Sequence, residues 1–279
     1  MRAFRLLAPS PLPGAGLSFG IMIAMLSAVV LLPIMALIGQ GLITGPAALW
    51  QVVGTPRVLS ALALSFRAAL IASVFNLIFG LLLAWGLVRY RFWGRRVIDA
   101  AIDLPFALPT AVAGIALTAL YAPNGAFGQW LAPLGLKIAY AEPGIWLALI
   151  FIGLPFVVRT VQPVMEEIDR EVEEASATLG AGRFYTLRRV VLPMLSPALL
   201  TGFALALARS VGEYGSVIFI AGNLPFKTEI APLLIVIRLE EFNYGAATAI
   251  GLAMLLISFA MLLLINALQV WSRRRIGNV

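Results

Sequence analysis

Three ionisable side chains interrupt stretches of this sequence that are otherwise apolar: Arg67, Arg209 and Glu213. A charge inside an apolar membrane helix costs roughly 2.5–3.5 kcal/mol on insertion scales, so such residues usually have a function. Arg209 and Glu213 are four residues apart and would share one face of a helix. Arg209 and Glu213 would form an internal ion pair that fixes helix packing. Alternatively, Arg67 or Arg209 would supply positive charge that attracts an anion.

The composition excludes several kinds of catalytic site. The 279 residues include no His and no Cys, which rules out thiol catalysis, disulfides, and zinc or haem sites with His or Cys ligands. The only two lysines, Lys137 and Lys227, do not lie in a GxxxxGK[ST] phosphate-binding loop. We therefore expect a protein that is not an enzyme, has no catalytic residues, and holds no metal or cofactor of its own.

The apolar content predicts a membrane protein. Hydrophobic residues make up 61% of the chain and charged residues 12%, whereas soluble domains have about 45–50% and about 25%. Six stretches are long enough to cross about 30 Å of hydrocarbon as helices. They are residues 17–38, 59–88, 98–121, 144–161, 195–222 and 246–270. The predicted fold class is an all-α integral membrane protein with six transmembrane helices, the first of which is not cleaved as a signal peptide.

The basic residues are distributed unevenly along the predicted topology. Fourteen of the twenty fall in segments on one side of the six spans, and four fall on the other side. The positive-inside rule places the richer side, which includes both termini, in the cytoplasm. Membrane topology therefore explains the net charge of +7, and no nucleic acid partner is expected.

The third predicted span opens with a proline-rich run, DLPFALPT, which extends from Asp103 to Thr110. Pro105 and Pro109 each lack a backbone N–H and so remove a helical hydrogen bond. In a membrane, the freed carbonyls need neighbouring groups or a water-filled cavity. The run is either a broken helix beside such a cavity or a simple entry of the helix at the membrane interface.

Residues 163–194, the acid-rich segment, form the longest stretch on the predicted cytoplasmic side. Six of the thirteen acids of the chain lie within nine residues, 166–174. Apolar residues recur at spacings of three and four, which predicts one face of an amphipathic helix; they are Met165, Ile168, Val172, Ala175 and Leu179. Gly180 follows, where helices often end in the left-handed conformation. Because an acidic helix fits an anionic membrane surface poorly, a protein partner is expected.

The spacing within this segment resembles the EAA signature of ABC importer permeases, EAA-x3-G-x9-I-x-L-P. Here the signature reads EAS from position 174, then G at 180 and VVLP from position 190, so that Ser replaces the second Ala and Val replaces Ile. In that family the loop forms a helix that docks on an ATPase subunit. The resemblance implies an ATPase-coupling role for Glu173, Glu174, Ala175, Ser176, Gly180, Leu192 and Pro193.

A wider resemblance covers most of the chain and is clearest from about residue 59 to 270. Residues 103–114 (DLPFALPTAVAG) and 209–223 (RSVGEYGSVIFIAGN) are similar to sulfate/thiosulfate importer permeases of the CysT (CysU) type. The resemblance implies a type I, MetI-like permease fold in the bacterial inner membrane. A permease for molybdate or another oxyanion is the alternative, and an ATP-independent channel or membrane anchor is a second one.

The same resemblance implies partners and a domain organisation. The partners are membrane lipid, a second, CysW-like permease subunit, two CysA-like ATPase subunits that bind ATP and Mg, and a periplasmic sulfate- or thiosulfate-binding protein. Residues 1–58 would contain a cytoplasmic segment, the first helix and an outer loop. Residues 59–270 would form the permease core, with its coupling loop at 163–194, and residues 271–279 a basic cytoplasmic tail.

Overall fold

The computed structural model describes residues 15–276, and within that range the regular structure is entirely helical. Five helices are long and apolar enough to cross a membrane, and a further apolar helix, Thr110–Tyr121, is shorter. The predicted all-α class is therefore confirmed. The predicted basic N-terminus, with Arg2 and Arg5, and residues 277–279 of the predicted tail lie outside the described residues.

The helices are numbered here in chain order. They are α1 Ala15–Leu26, α2 Leu32–Thr44, α3 Pro46–Val53, α4 Pro56–Arg89, α5 Arg95–Ile102, α6 Leu104–Ala107, α7 Thr110–Tyr121, α8 Gly128–Leu131, α9 Glu142–Glu167, α10 Arg170–Thr178, α11 Arg183–Thr186, α12 Leu192–Val211, α13 Val217–Ile220, α14 Ala231–Glu240 and α15 Tyr244–Ile276. Two π-helical turns, Ser27–Leu31 and Leu187–Val191, join α1 to α2 and α11 to α12 without a break.

Three long helices, α4, α9 and α12, pack against one another and form the centre of the bundle. Small residues make this close packing possible. Ala68, Ala69 and Ala72 on α4 are fully buried, and a Cβ on Gly202 of α12 would lie 3.0 Å from the Cα of Val157 on α9. Helix α15 packs on α12 and α14, and α2 and α3 pack on α15. The first span is thus the outermost one.

The apolar stretch 98–121 is not one continuous helix, in agreement with the broken helix that was one of the two alternatives for the proline-rich run. Helix α6 ends at Ala107, Leu108 is extended (φ −90°, ψ 134°), and α7 begins at Thr110. The physical reason is Pro109, whose ring disfavours the helical conformation at the preceding residue and which cannot donate a hydrogen bond. Only α7 of this region is a continuous apolar helix, and its twelve residues are fewer than a full membrane crossing requires.

The predicted fifth span, 195–222, is also too long at its C-terminal end. Helix α12 ends at Val211, and Gly212 follows in a non-helical conformation. The turn that follows packs tightly on the third region, because a Cβ on Gly215 would collide with the Thr110 side chain and one on Gly114 would collide with the Ser216 backbone. Since α12 ends before residue 213, Arg209 and Glu213 do not share one continuous helix.

The amphipathic helix expected in the acid-rich segment is in fact two helices. Helix α9 continues to Glu167, and extended backbone at Ile168 and Asp169 separates it from α10. Met165 and Ile168 are buried in the core, whereas Leu179 on the following turn is 88% exposed. The apolar stripe therefore has two different environments: its first part packs against the bundle and its last part faces outward.

Candidate functional site

Helix α10 ends in a well-formed left-handed cap. Gly180 has φ +83°, its N–H donates to the carbonyl of Ala177 (2.9 Å), and the N–H of Ala181 donates to the carbonyl of Ser176 (3.1 Å). This pair of hydrogen bonds is the Schellman arrangement, which favours glycine at the left-handed position. Gly180 therefore sets the direction in which the chain leaves the EAA helix.

Two polar contacts fix α10 to the rest of the chain. The Arg89 guanidinium at the end of α4 lies 2.6 Å from a Glu173 carboxylate oxygen and donates to the Ile168 carbonyl at 3.3 Å. The hydroxyls of Ser176 and Thr186 are hydrogen-bonded at 2.9 Å, and Thr186 is buried. Ser176, which departs from the family pattern, thus ties α10 to α11 through a contact that alanine cannot make.

The opposite face of α10 is open. Glu174 and Ala175 are exposed, and Leu179 and Tyr185 (58% exposed) flank an apolar groove of about 670 Å³. Beyond this groove, Pro193 occupies the first turn of α12, directly after the π-helical turn Leu187–Val191. The residues of this segment therefore form two sets. The inward set, Glu173 and Ser176, contacts α4 and α11. The outward set, Glu174, Ala175 and Leu179, is exposed and available for contact with another protein.

A cluster centred on Arg159 of α9 was not foreseen from the sequence. Its guanidinium binds both carboxylate oxygens of Asp103 (2.8 and 2.7 Å) and one of Asp99 (2.6 Å). Sequence spacing does not indicate this cluster, because Asp103 and Arg159 are 56 residues apart. The cluster joins the helix that leads into the acid-rich segment to the start of the proline-broken region.

The predicted pairing of Arg209 and Glu213 is present, with a nitrogen–oxygen distance of 2.6 Å. The Glu213 side chain is 2% exposed, and its Oε1 accepts hydrogen bonds from the Ser216 N–H (2.9 Å) and hydroxyl (3.1 Å). The carboxylate therefore closes the turn between α12 and α13, in addition to neutralising the arginine.

Arg67 is not brought to that pair; it binds Glu142 at the start of α9, with a distance of 2.7 Å and a side chain that is 60% exposed. A second ion pair, between Arg57 and Glu229, was missed by sequence reasoning. Arg57 forms two hydrogen bonds, of 2.8 and 2.7 Å, with the buried Glu229. Glu229 lies outside the predicted spans and 172 residues from Arg57, so neither apolar context nor helical spacing pointed to it.

Buried amide and hydroxyl groups lie where α4, α9 and α12 cross. Asn76 is fully buried and Ser210 nearly so, and neither side chain has a hydrogen-bond partner among the described residues. Gly153 of α9 leaves room for them, because a Cβ there would collide with the Asn76 amide. Among the described residues, no group of three or more acidic, His or Cys side chains could hold a metal ion.

The fold defines a class of protein: a helical, multi-pass membrane protein with five helices among the described residues that are long and apolar enough to cross a membrane. The chain belongs to the family described as "Binding-protein-dependent transport system inner membrane component", which matches residues 76–278.

Among curated relatives, it is 51% identical to the "Sulfate transport system permease protein CysT" of Salmonella typhimurium and 50% identical to that of Escherichia coli K12. Both matches cover 96% of this chain and 97% of the relative. Among solved structures, a bacterial ABC transporter involved in the import of the acidic polysaccharide alginate has a chain of the same fold, with a TM-score of 0.74. That match is 17% identical and covers 93% of this chain and 96% of the other.

Proposed function

We propose that this chain is the permease subunit of an ATP-driven importer that carries sulfate or thiosulfate across the cytoplasmic membrane. The observation that carries the proposal is the 50–51% identity to relatives named as sulfate permeases over 96% of the chain. The two stretches that resemble sulfate permeases, DLPFALPTAVAG and RSVGEYGSVIFIAGN, meet in the structure, where Gly114 of the first packs against the Ser216 backbone of the second.

In this proposal, the outward set of the acid-rich segment docks on an ATPase subunit. The exposed Glu174, Ala175 and Leu179 provide charge, close approach and apolar contact. The inward contacts of Glu173 and Ser176 make α10 move with α4 and α11. Leu192 and Pro193 pass the movement into α12, which packs directly on α4 and α9. Closure of the ATPase subunits on ATP would then switch the pathway between inward-facing and outward-facing forms.

The remaining partners follow from the same assignment. A periplasmic binding protein would deliver the oxyanion, and a second permease subunit would complete the pathway. An Arg67 guanidinium that faced hydrocarbon would be costly, so its exposed position favours a neighbour subunit or an aqueous path along α4. If both termini are cytoplasmic, Arg67 lies near the outer end of the transport pathway, where it contacts Glu142, the first residue of α9.

We assign different roles to the two arginines of the spans. Glu213 has Arg209 and Ser216 as partners and is nearly inaccessible, which favours a structural pair that fixes the turn after α12. Arg67 is more exposed, and Glu142 engages its guanidinium through one hydrogen bond. It is therefore the better source of positive potential for an incoming dianion.

The test is uptake of radiolabelled sulfate by membrane vesicles that contain the full complex with its binding protein. Uptake should require ATP, and excess thiosulfate should compete with it, whereas equimolar molybdate should not. Sulfate flux that persists without ATP would replace the proposal with a channel. Molybdate accumulation without sulfate accumulation would move the assignment to the other oxyanion.

A further inference from the structure

The loop between α4 and α5 combines positive charge with exposed aromatic and aliphatic side chains. Residues 91–98 comprise the last four residues of this connection and the first four residues of α5. This stretch, called the 91–98 loop, surrounds a cleft of about 690 Å³. Trp93 is 99% exposed, Val97 is 72% exposed, and Phe92 and Ile98 are also exposed. Nothing in the described part of the chain covers these apolar groups.

The positive charges of the loop have no counter-ions among the described residues. Arg91, Arg95 and Arg96 form none of the ion pairs found in residues 15–276. The acid of α5, Asp99, is engaged by Arg159.

The start of α5 adds to the same positive potential. The helix begins at Arg95 and has no acidic residue in its first turn and no side-chain cap. Basic residues at a helix N-terminus are repelled by the positive end of the helix dipole. A bound anion at the start of α5 would reduce this repulsion.

The position of the loop distinguishes a lipid from a soluble anion. It follows directly after α4, a membrane-crossing helix that ends at Arg89, so it lies at the level of the lipid headgroups. Trp is enriched at this level because one side of its ring is apolar and the other is polar. A soluble phosphate would use the arginines but would leave Trp93 and Val97 without a partner.

The charge of the neighbouring segment argues against a protein partner at the loop. Arg89 places the loop beside the acid-rich segment through its contact with Glu173. A partner surface that is basic enough to accept the acid-rich segment would repel three unpaired arginines.

We propose that the 91–98 loop binds an anionic phospholipid of the adjacent leaflet. Arg91, Arg95 and Arg96 contact the headgroup phosphate, while Trp93 and Val97 lie among the upper acyl carbons. This binding site does not depend on which anion the permease transports, because the lipid contacts lie outside the spans.

The test uses the full-length chain in its assembled complex, titrated with phosphatidylglycerol or phosphatidylcholine of equal chain length and followed by native mass spectrometry. The variant Arg95→Gln/Arg96→Gln should bind phosphatidylglycerol roughly tenfold more weakly, because each arginine near the surface contributes to anionic-lipid attraction. Lys137→Gln/Lys227→Gln removes two exposed positive charges from the opposite side of the predicted topology and is the charge-matched control, with affinity within about twofold of wild type. Phosphatidylcholine binding should not change, and inorganic phosphate should not displace the bound lipid.

A second measurement does not depend on the arginine variants. Phosphatidylglycerol with brominated acyl chains should quench wild-type fluorescence more than that of Trp93→Phe, because bromine quenches only nearby indoles. Equal quenching, or equal lipid affinity in the two double variants, would overturn the proposal. Displacement by inorganic phosphate would assign the site to a soluble anion instead. Loss of ATPase co-purification in Arg95→Gln/Arg96→Gln with normal lipid affinity would make the loop a protein contact.

Discussion

Arg159 and Asp103 form a bidentate ion pair that joins α9 to the break between α5 and α6. The guanidinium Nε and Nη2 atoms lie 2.8 and 2.7 Å from the two oxygens of Asp103, and Nη1 reaches Asp99 at 2.6 Å. Helix α9 ends at Glu167, directly before α10. One side chain therefore links α9, the helix that leads into the proposed ATPase-coupling segment, with the proline-broken region that packs on the turn after α12.

This link predicts that Arg159→Lys impairs transport, because an ammonium group cannot bind two carboxylates in the planar fork geometry. We expect sulfate uptake to fall at least about tenfold in complexes that assemble normally. The stability cost should be only about 1 kcal/mol, because Asp99 and Asp103 are partly exposed to solvent. Hydrogen exchange over residues 95–107 should become faster. Arg238→Lys, which alters an exposed pair with Glu241, is the control; normal uptake in Arg159→Lys would show that the link is not needed.

Gly180→Val should uncouple transport from ATP hydrolysis, because a branched side chain is strained at φ +83°. Gly182→Val is a matched control: a Cβ at either position meets no atom within 4 Å, but Gly182 has φ −71° and ψ 158°, which valine adopts readily. ATP-driven uptake should be lost in the first variant and largely retained in the second, at equal amounts of assembled complex. Uptake near wild type in Gly180→Val would refute the role of the cap.

The adjacent acids Glu173 and Glu174 should affect different properties. Glu173→Gln removes the carboxylate charge from the Arg89 contact, and we expect the melting temperature of the complex to fall by a few degrees. Glu174→Gln alters an exposed acid and should leave the melting temperature unchanged while weakening ATPase binding. Thermal unfolding and ATPase co-purification separate the two effects. If both variants lower only the melting temperature, Glu174 is not part of the docking surface.

Removal of one charge from the pair of Arg209 and Glu213 should be worse than removal of both. Arg209→Gln leaves a carboxylate that is 2% exposed without its cation, which costs about 3–5 kcal/mol. Glu213→Gln should be milder, because Arg209 is one-third exposed and can reach water. The double variant should assemble better than Arg209→Gln, as measured by co-purification of the ATPase. If both single variants assemble but Arg209→Gln alone loses uptake, and the double variant does not restore it, Arg209 is a pathway residue.

Local sequence determined the membrane character, most of the spans and the cap of the EAA helix. The apolar runs at 59–88 and 246–270 fall inside α4 and α15, because a backbone in hydrocarbon must satisfy its own hydrogen bonds. Gly180 has the predicted left-handed conformation, since its missing Cβ removes the steric penalty there. Pro105 and Pro109 indicated the break in the stretch 98–121, because a proline removes a backbone N–H donor from the helix.

Tertiary structure decided where helices stop and which charges meet. The spacing of Met165, Ile168 and Val172 continues across the break at Ile168, so periodicity alone could not reveal that one part of the stripe is buried and the next exposed. Arg57 and Glu229 are 172 residues apart, and no local pattern pairs them. Such contacts depend on how α4, α9 and α12 pack, because the energy of an ion pair is set by distance and burial in space and not by separation along the chain.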